Sequence, residues 1–254
     1  MDFSGKVAVI TGGADGIGLG AAKAFKERQA DVVIADINTD KLAAAALQLG
    51  VTPVRCDVSL DEDLSVLSGI ATALGPVDIV MANAGVALGG RFEKIPMSEW
   101  QRLFDINVMG VARTINAFLP EMIERKTGTV IITGSSAGLF NSNGMNAPYA
   151  ASKYALHGMA KALAVYGRPL GVKVHYLAPR MTDTAFPRSS VAWGHKGSRV
   201  TSDVDIGSDF DTVADVIRAL FNGIEANQFL ISLTKDTNEQ LAAFANTQSP
   251  FFKQ

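Results

Sequence analysis

The chain has 254 residues, a formal net charge of −2 and 19% charged residues. That length suits one large α/β domain (residues 1–254), and the near-neutral balance offers no basic surface to a polyanion, so nucleic acid is not an expected partner. The single cysteine, Cys56, rules out an internal disulfide and fits a reducing compartment, with core filling as its plainest use. No run approaches the ~18 apolar residues of a membrane span, and no charged segment precedes a long apolar core at the N-terminus. The expectation is a cytoplasmic protein without a membrane partner.

Apolar runs of strand length recur: Val7–Ile10, Val32–Ala35, Val77–Ala82, Val130–Thr133, Val172–Leu177 and Phe229–Leu233. They are continuous rather than alternating, as in strands buried on both faces of a parallel sheet. A weaker run, Val51–Arg55, carries Pro53, which cannot donate to a ladder and so belongs near an edge. Helix-like segments lie between them: Ile17–Gln29, Thr39–Leu49, Asp61–Leu74, Glu99–Arg125, Tyr149–Tyr166 and Thr212–Ala226. Capping boxes are expected at Ser59-x-x-Glu62 and Ser98-x-x-Gln101. Strands alternating with helices predict an α/β fold, a single-domain Rossmann-like, doubly wound parallel sheet of about seven strands with helices on both faces. The stretch 180–210 is long, polar and poorly periodic; it reads as a substrate lid, with a mobile surface loop as the alternative. Residues 234–254 read as a polar tail ending in Phe251-Phe252, an interface anchor or a frayed terminus.

The first βα turn is TGGADGIG, Thr11 to Gly18. Gly12, Gly16 and Gly18 allow a tight turn and close backbone approach, with Asp15 and Ile17 between them and a helix N-terminus facing an anion. Asp36 ends the second strand, where an acid binds both hydroxyls of an adenosine ribose. No Lys or Arg follows until Lys41. Two acids, Asp15 and Asp36, without a cation would repel a 2′-phosphate, so NAD is expected rather than NADP, with Ile37 beside the ribose.

The densest chemistry lies in Thr129–Lys153, TVIITGSSAGLFNSNGMNAPYAASK. A strand ends at two serines, and Pro148 opens a helix on which Tyr149 and Lys153 share one face, four residues apart. A phenol near pKa ~10 is a poor base at neutral pH, and a cation within ~4–6 Å favours its ionised form. The pattern suits moving a proton to or from an oxygen. A Tyr-x-x-x-Lys alone is weak, since the tyrosine can simply pack and the lysine be solvated.

Taken together these residues resemble the short-chain dehydrogenase/reductase family, over about Phe3 to Thr184. The resemblance includes the glycine turn, Asp57-Val58 after the third strand, where the family contacts adenine, and Ala82-Asn83-Ala84-Gly85, similar to the family's Asn-Asn-Ala-Gly. It implies Asn107, Ser136, Tyr149 and Lys153 as the catalytic set, Ser136 being chosen over Ser135 because it lies 13 before Tyr149. In that scheme Tyr149 moves the hydroxyl proton, Ser136 orients the oxygen, Lys153 binds the nicotinamide ribose and lowers the Tyr149 pKa, and Asn107 holds a water or props its helix. Tyr149 and Lys153 thereby also count among the cofactor-binding residues. After the sixth strand, Pro179 and Thr184 fit positions around the nicotinamide, while Arg180 replaces a family glycine and His175 a family asparagine, the latter read as a packed histidine.

Leu88, Phe140, Met145, Met181 and Phe186, with Ser136, are candidates for an apolar substrate pocket, and each of the five apolar residues is equally a core candidate. They suggest a neutral, fairly hydrophobic secondary alcohol or ketone. The alternatives are a non-catalytic dinucleotide-binding regulator and a dehydratase or epimerase of the same fold. The helix from Tyr149 is apolar on more than one face (Ala150, Ala151, Leu156, Met159, Ala160, Leu163, Ala164), and with the resemblance this points to a homotetramer or homodimer. His157, His175 and His195 show no metal-ligand spacing, so no metal is expected.

Overall fold

The computed structural model describes residues 2–141, 143–188, 191–193, 199–201 and 210–234, with Thr237, Glu239 and Leu241 beyond them. In chain order its strands are β1 (Val7–Thr11), β2 (Asp31–Asp36), β3 (Thr52–Arg55), β4 (Val77–Ala82), β5 (Leu88–Gly90), β6 (Gly128–Thr133), β7 (Val172–Ala178), β8 (Val191–Trp193), β9 (Arg199–Thr201) and β10 (Leu230–Ser232). The α-helices are α1 (Gly16–Glu27), α2 (Thr39–Leu49), α3 (Asp61–Thr72), α4 (Met97–Phe104), α5 (Gly110–Asn116), α6 (Leu119–Glu124), α7 (Ala147–Gly167), α8 (Ala185–Arg188) and α9 (Val213–Glu225).

Seven strands form one parallel sheet in the order β10-β7-β6-β4-β1-β2-β3. Pro53 sits on its edge strand, as expected. The continuous apolar runs are explained by burial on both faces. Val9, Val80, Val130 and Ile132 enter one core with Leu67 of α3, Ile115 of α5 and Leu156 of α7. Their neighbours Ala8, Ile10, Met81 and Ile131 enter the other with Phe25 of α1, Leu42 of α2 and Leu220 of α9. Successive strand residues point to opposite faces, so each run must be apolar throughout. The winding reverses between β1 and β4, and at such a switch point the strand carboxyl ends leave a crevice for a ligand.

Several local expectations are corrected. Glu99–Arg125 is not one helix: a π-helical turn, Asp105–Met109, interrupts it, and a second break follows Asn116. Pro120 explains the second break, because its ring has no N–H and clashes with the carbonyl four residues earlier. Neither expected capping box forms. Leu60 and Pro96 hold those N-cap positions without side-chain bonds, and Ser59 instead donates through its N–H and hydroxyl to Asp57 (2.9 and 2.7 Å). Among the described residues a capping box forms instead at Thr212–Asp215, at the start of α9.

A second small sheet, β5-β8-β9, went unpredicted. It joins part of the 180–210 stretch to the segment after β4, with β5 and β8 parallel from Leu88↔Val191 to Gly90↔Trp193. Residues 189–190, 194–198 and 202–209, His195, and most of the 234–254 tail with Phe251-Phe252 lie outside the described residues. Among the described residues no helix is long and apolar enough to cross a membrane. On α7, Ala150, Leu156 and Ala160 are buried, whereas Tyr154, Val165 and Tyr166 are exposed.

Candidate active site

Most candidate site residues derive their position from the carboxyl edge of the large sheet or from α7; Asn107 comes from the π-helical turn and Leu88 from β5. At the first βα turn, Gly16 adopts φ +53, a conformation unfavourable for other residues, and a Cβ at Gly18 would stand 2.0 Å from the Gly12 carbonyl oxygen. The turn is braced from the next strand end. The Asn83 side chain donates to the Thr11 and Gly12 carbonyls (3.0 and 3.2 Å), while the Asn83 and Ala84 N–H groups donate to the Thr11 hydroxyl (3.1 and 3.3 Å). Asn83 is therefore a brace for the turn. Asp15 caps α1, accepting from the Gly16 N–H (2.7 Å), which leaves Ile17 and Gly18 at a helix start whose amides have no intrahelical partner. That backbone cradle fits a dinucleotide's phosphates.

Asp36 accepts from the Ala14 and Asn38 N–H groups (3.2 and 3.0 Å), one on each oxygen, which leaves lone pairs for ribose hydroxyls. Ile37 beside it is exposed. The expectation of two acids without a cation needs correction: Lys41, on the first turn of α2, brings its ammonium 2.5 Å from Asp15. Of the two acids, Asp36 has no salt bridge among the described residues, although the Lys41 ammonium lies near enough to feel its charge. Asp57 is tied to Ser59, and Val58 is buried against Gly110 of α5.

At the other half of the edge, the hydroxyl that meets the Tyr149 phenol belongs to Ser135, not to the expected Ser136. Ser135 begins a 3-10 turn and caps it by accepting from the Ala137 N–H (3.1 Å), whereas the Ser136 N–H donates to the Pro179 carbonyl (2.9 Å). Nothing in the sequence separates two adjacent serines; an interval counted back from Tyr149 depends on the length of the intervening loop. Lys153 is 4% exposed, donates to the Thr133 carbonyl (3.0 Å) and lies 5.5 Å from the Tyr149 ring centroid. Tyr176 of β7, which sequence reasoning passed over, anchors this turn of α7 by donating its hydroxyl proton to the Lys153 carbonyl (3.1 Å).

The electrostatics also differ from expectation. Burial pushes the Tyr149 phenol up to about 12, opposed by the Ser135 hydroxyl, and lowers Lys153 to about 8. Desolvation disfavours the charged form of each, and it outweighs any pull of the ammonium on the phenol. At neutral pH the pair is a protonated phenol beside a protonated amine.

Asn107 is 1% exposed within the π-helical turn. Its oxygen accepts from the Val86 N–H (2.8 Å), and its amide donates to the Val86 carbonyl and the Ser152 hydroxyl (2.9 and 3.2 Å). Ser152, also missed, passes this on by donating to the Tyr149 carbonyl (2.7 Å). Asn107 thus props the backbone after Gly85, and both of its amide protons are committed. Gly85 lies between them: a Cβ there would come 3.2 Å from the Asn107 oxygen and 3.9 Å from the Lys153 nitrogen.

The pocket candidates divide. Leu88 is 1% exposed and packs with Ile95 and Leu103, in a cluster against which Tyr149 rests, whereas Phe140 is only partly buried against the main core. Met145 and Met181 are exposed, and Phe186 places its ring centroid 6.2 Å from that of Tyr149. Thr184 touches the glycine turn, its methyl 3.2 Å from where a Gly16 Cβ would be. His175 is buried inside β7, its Nδ1 2.6 Å from the Gln228 carbonyl oxygen, as its packed reading expects.

The family model for short chain dehydrogenase matches residues 6–194. Oxidoreductase UcpA of Salmonella typhimurium is 33% identical over 256 residues, 96% of this chain and 93% of that protein. The peroxisomal hydratase-dehydrogenase-epimerase of Neurospora crassa is 32% identical over 196 residues, and the match spans 75% of this chain but only 22% of that protein. A short chain dehydrogenase/reductase from Burkholderia phymatum, solved in complex with NAD, superposes with a TM-score of 0.86 at 26% identity, covering 98% of this chain and 95% of that one. One from Sphingobium yanoikuyae, solved with NADPH, shares the fold (TM-score 0.81) at 22% identity, with 98% and 95% of the two chains covered. With its doubly wound sheet, its glycine turn under Thr184 and its Ser135–Tyr149–Lys153 cluster, this chain belongs to the short-chain dehydrogenase/reductase family of oxidoreductases, which uses a nicotinamide dinucleotide.

Proposed function

We propose that this protein interconverts a neutral, fairly hydrophobic secondary alcohol and its ketone, with NAD preferred over NADP. The observation that carries the reading is the meeting of the Ser135 hydroxyl, the Tyr149 phenol and the buried Lys153 ammonium at the sheet edge that also bears the glycine turn. The cofactor, when bound, supplies or accepts the hydride.

The chain's own residues handle the proton. Tyr149, protonated at neutral pH, gives its proton to the carbonyl oxygen in reduction and takes one from the hydroxyl in oxidation. Ser135 shares that oxygen and orients it. Lys153 remains mostly protonated at neutral pH, and its charge favours the phenolate that proton donation leaves behind. Ile17 and Gly18 would hold the phosphates, Asp36 the adenosine ribose, Asp57 and Val58 the adenine, and Pro179 and Thr184 the nicotinamide end. Met145, Met181 and Phe186 would present apolar surface to the substrate. The NAD preference rests on Asp36, whose charge opposes a 2′-phosphate. Exposed Tyr154, Val165 and Tyr166 on α7 support assembly as a homotetramer or homodimer, to be read from the molar mass by light scattering; the compartment we propose is the cytoplasm.

The test is NADH formation across aliphatic, cyclic, aromatic and steroidal secondary alcohols, with NAD and NADP side by side. Turnover with NAD and little with NADP is expected. Tyr149→Phe is expected to lose at least about 10²–10⁴-fold in turnover while still binding NADH. Unchanged turnover in that variant sinks the mechanism, and NADH binding without turnover on any alcohol favours a regulatory protein.

A further inference from the structure

Arg180 stands where the family resemblance puts a glycine, and the structure commits its side chain. The guanidinium donates to both carboxylate oxygens of Asp211, Nε to Oδ2 at 3.3 Å and Nη2 to Oδ1 at 3.2 Å. Asp211 lies 31 residues later in the chain, and its side chain is only 12% exposed. The backbone zips the same place: the Asp211 N–H donates to the Met181 carbonyl (3.0 Å) and the Asp183 N–H to the Asp211 carbonyl (3.1 Å). Both strands of this junction are anchored from outside. Pro179 is bonded to the serine turn through Ser136, and Thr212 begins the capping box of α9, whose Val213 packs against Gly20 of α1.

From this junction the chain runs directly over both halves of the site. Thr182 is buried, and its hydroxyl donates to the Arg180 carbonyl (3.1 Å). Thr184 reaches the glycine turn, and its hydroxyl accepts from the Phe186 N–H (3.3 Å), which fixes the residue whose ring lies beside Tyr149. A planar, two-bond fork fixes direction as well as distance, so the pair sets the course of the six residues that follow Arg180.

Resting on the functional reading above, we propose that Arg180 and Asp211 form a clasp that positions Thr184 on the glycine turn and Phe186 beside Tyr149, so that one ion pair tunes cofactor binding and substrate alignment together. Both are positioning residues. Neither is assigned contact with the reacting atoms.

The test compares Arg180→Met, Asp211→Asn and Arg180→Lys by NADH fluorescence titration, by amide hydrogen exchange over residues 181–186, and by steady-state kinetics. Arg180→Met and Asp211→Asn are each expected to weaken NADH binding about tenfold, to speed exchange at Asp183 and Phe186, and to raise the KM for the alcohol more than they lower kcat. Arg180→Lys, which keeps the charge without the fork, should recover part of the loss. A merely structural defect lowers the active fraction and so kcat, leaving KM and NADH affinity unchanged; that result overturns the proposal. So does exchange over 181–186 that matches the unsubstituted protein. Should Arg180→Met not fold, the near-isosteric Asp211→Asn decides. If the unsubstituted protein binds neither NADH nor NADPH, the functional reading has failed, whereas the exchange comparison still judges the clasp.

Discussion

The two halves of the carboxyl edge are held by different means. Around the glycine turn and α7, buried and half-buried side chains bond to main chain: Asn83 to Thr11 and Gly12, Lys153 to Thr133, Asn107 to Val86. Beyond β7, the strip from Met181 to Phe186 depends on Asp211 and carries Met181 and Phe186 at 50% and 37% exposure. The first half has no slack in which to misplace a reacting group. Apart from the buried Thr182, the second can change its side chains without disturbing a core. In the proposed function the first half would fix the chemistry and the second would align cofactor and substrate against it.

The sharpest way to break the comparison is at the two serines. Ser135→Ala should lower kcat about 10²–10³-fold, the usual cost of removing a donor to the reacting oxygen, while Ser136→Ala should stay within about threefold. The reverse outcome in paired kinetics would restore the interval-based choice. Lys153→Met tests the buried half differently, since it should abolish most turnover yet stabilise the fold. The folded pKa of about 8 lies below the unfolded 10.5, so the stability contributed by Lys153 is present in full above pH 10.5 and is lost as pH falls through about 8. At pH 7 the buried ammonium is a net cost. After offsetting the lost bond to Thr133, denaturant melts should show a gain of about 1–2 kcal/mol, disappearing above pH ~10.5.

On the exposed half, Phe186→Ala should raise the alcohol KM about tenfold and shift stability by no more than about 0.5 kcal/mol. A smaller effect belongs to His175, whose Nε2 is buried without a hydrogen-bond partner among the described residues. Burial lowers its pKa below 6.5, so it supports the fold above pH 6.5, and that support is lost as pH falls through the folded value. Unfolding free energy should therefore fall as pH drops below 6.5, and His175→Phe should flatten that slope.

Much of this was legible in the sequence because the underlying physics is local or periodic. Burial on both sheet faces forces unbroken apolar runs, and the glycine turn, Asp36 and the Tyr149–Lys153 spacing each satisfy a requirement set within a few residues. What escaped depends on distant partners. Ser59 fits a capping box but bonds Asp57 instead, and Arg180 reads as a lost glycine until Asp211 arrives from 31 residues away. The Tyr149 pKa was expected to follow its neighbouring charge, yet it follows burial, which no four-residue spacing encodes. The choice between Ser135 and Ser136 turned on loop length, a quantity that one deletion resets.

The main-chain partners of the site have a consequence for inheritance. A carbonyl at position 133 or 86 presents the same acceptor whatever side chain it carries, so a substitution there leaves the bond to Lys153 or Asn107 in place. Lineages sharing this architecture are free to drift at such positions while the reacting groups stay registered.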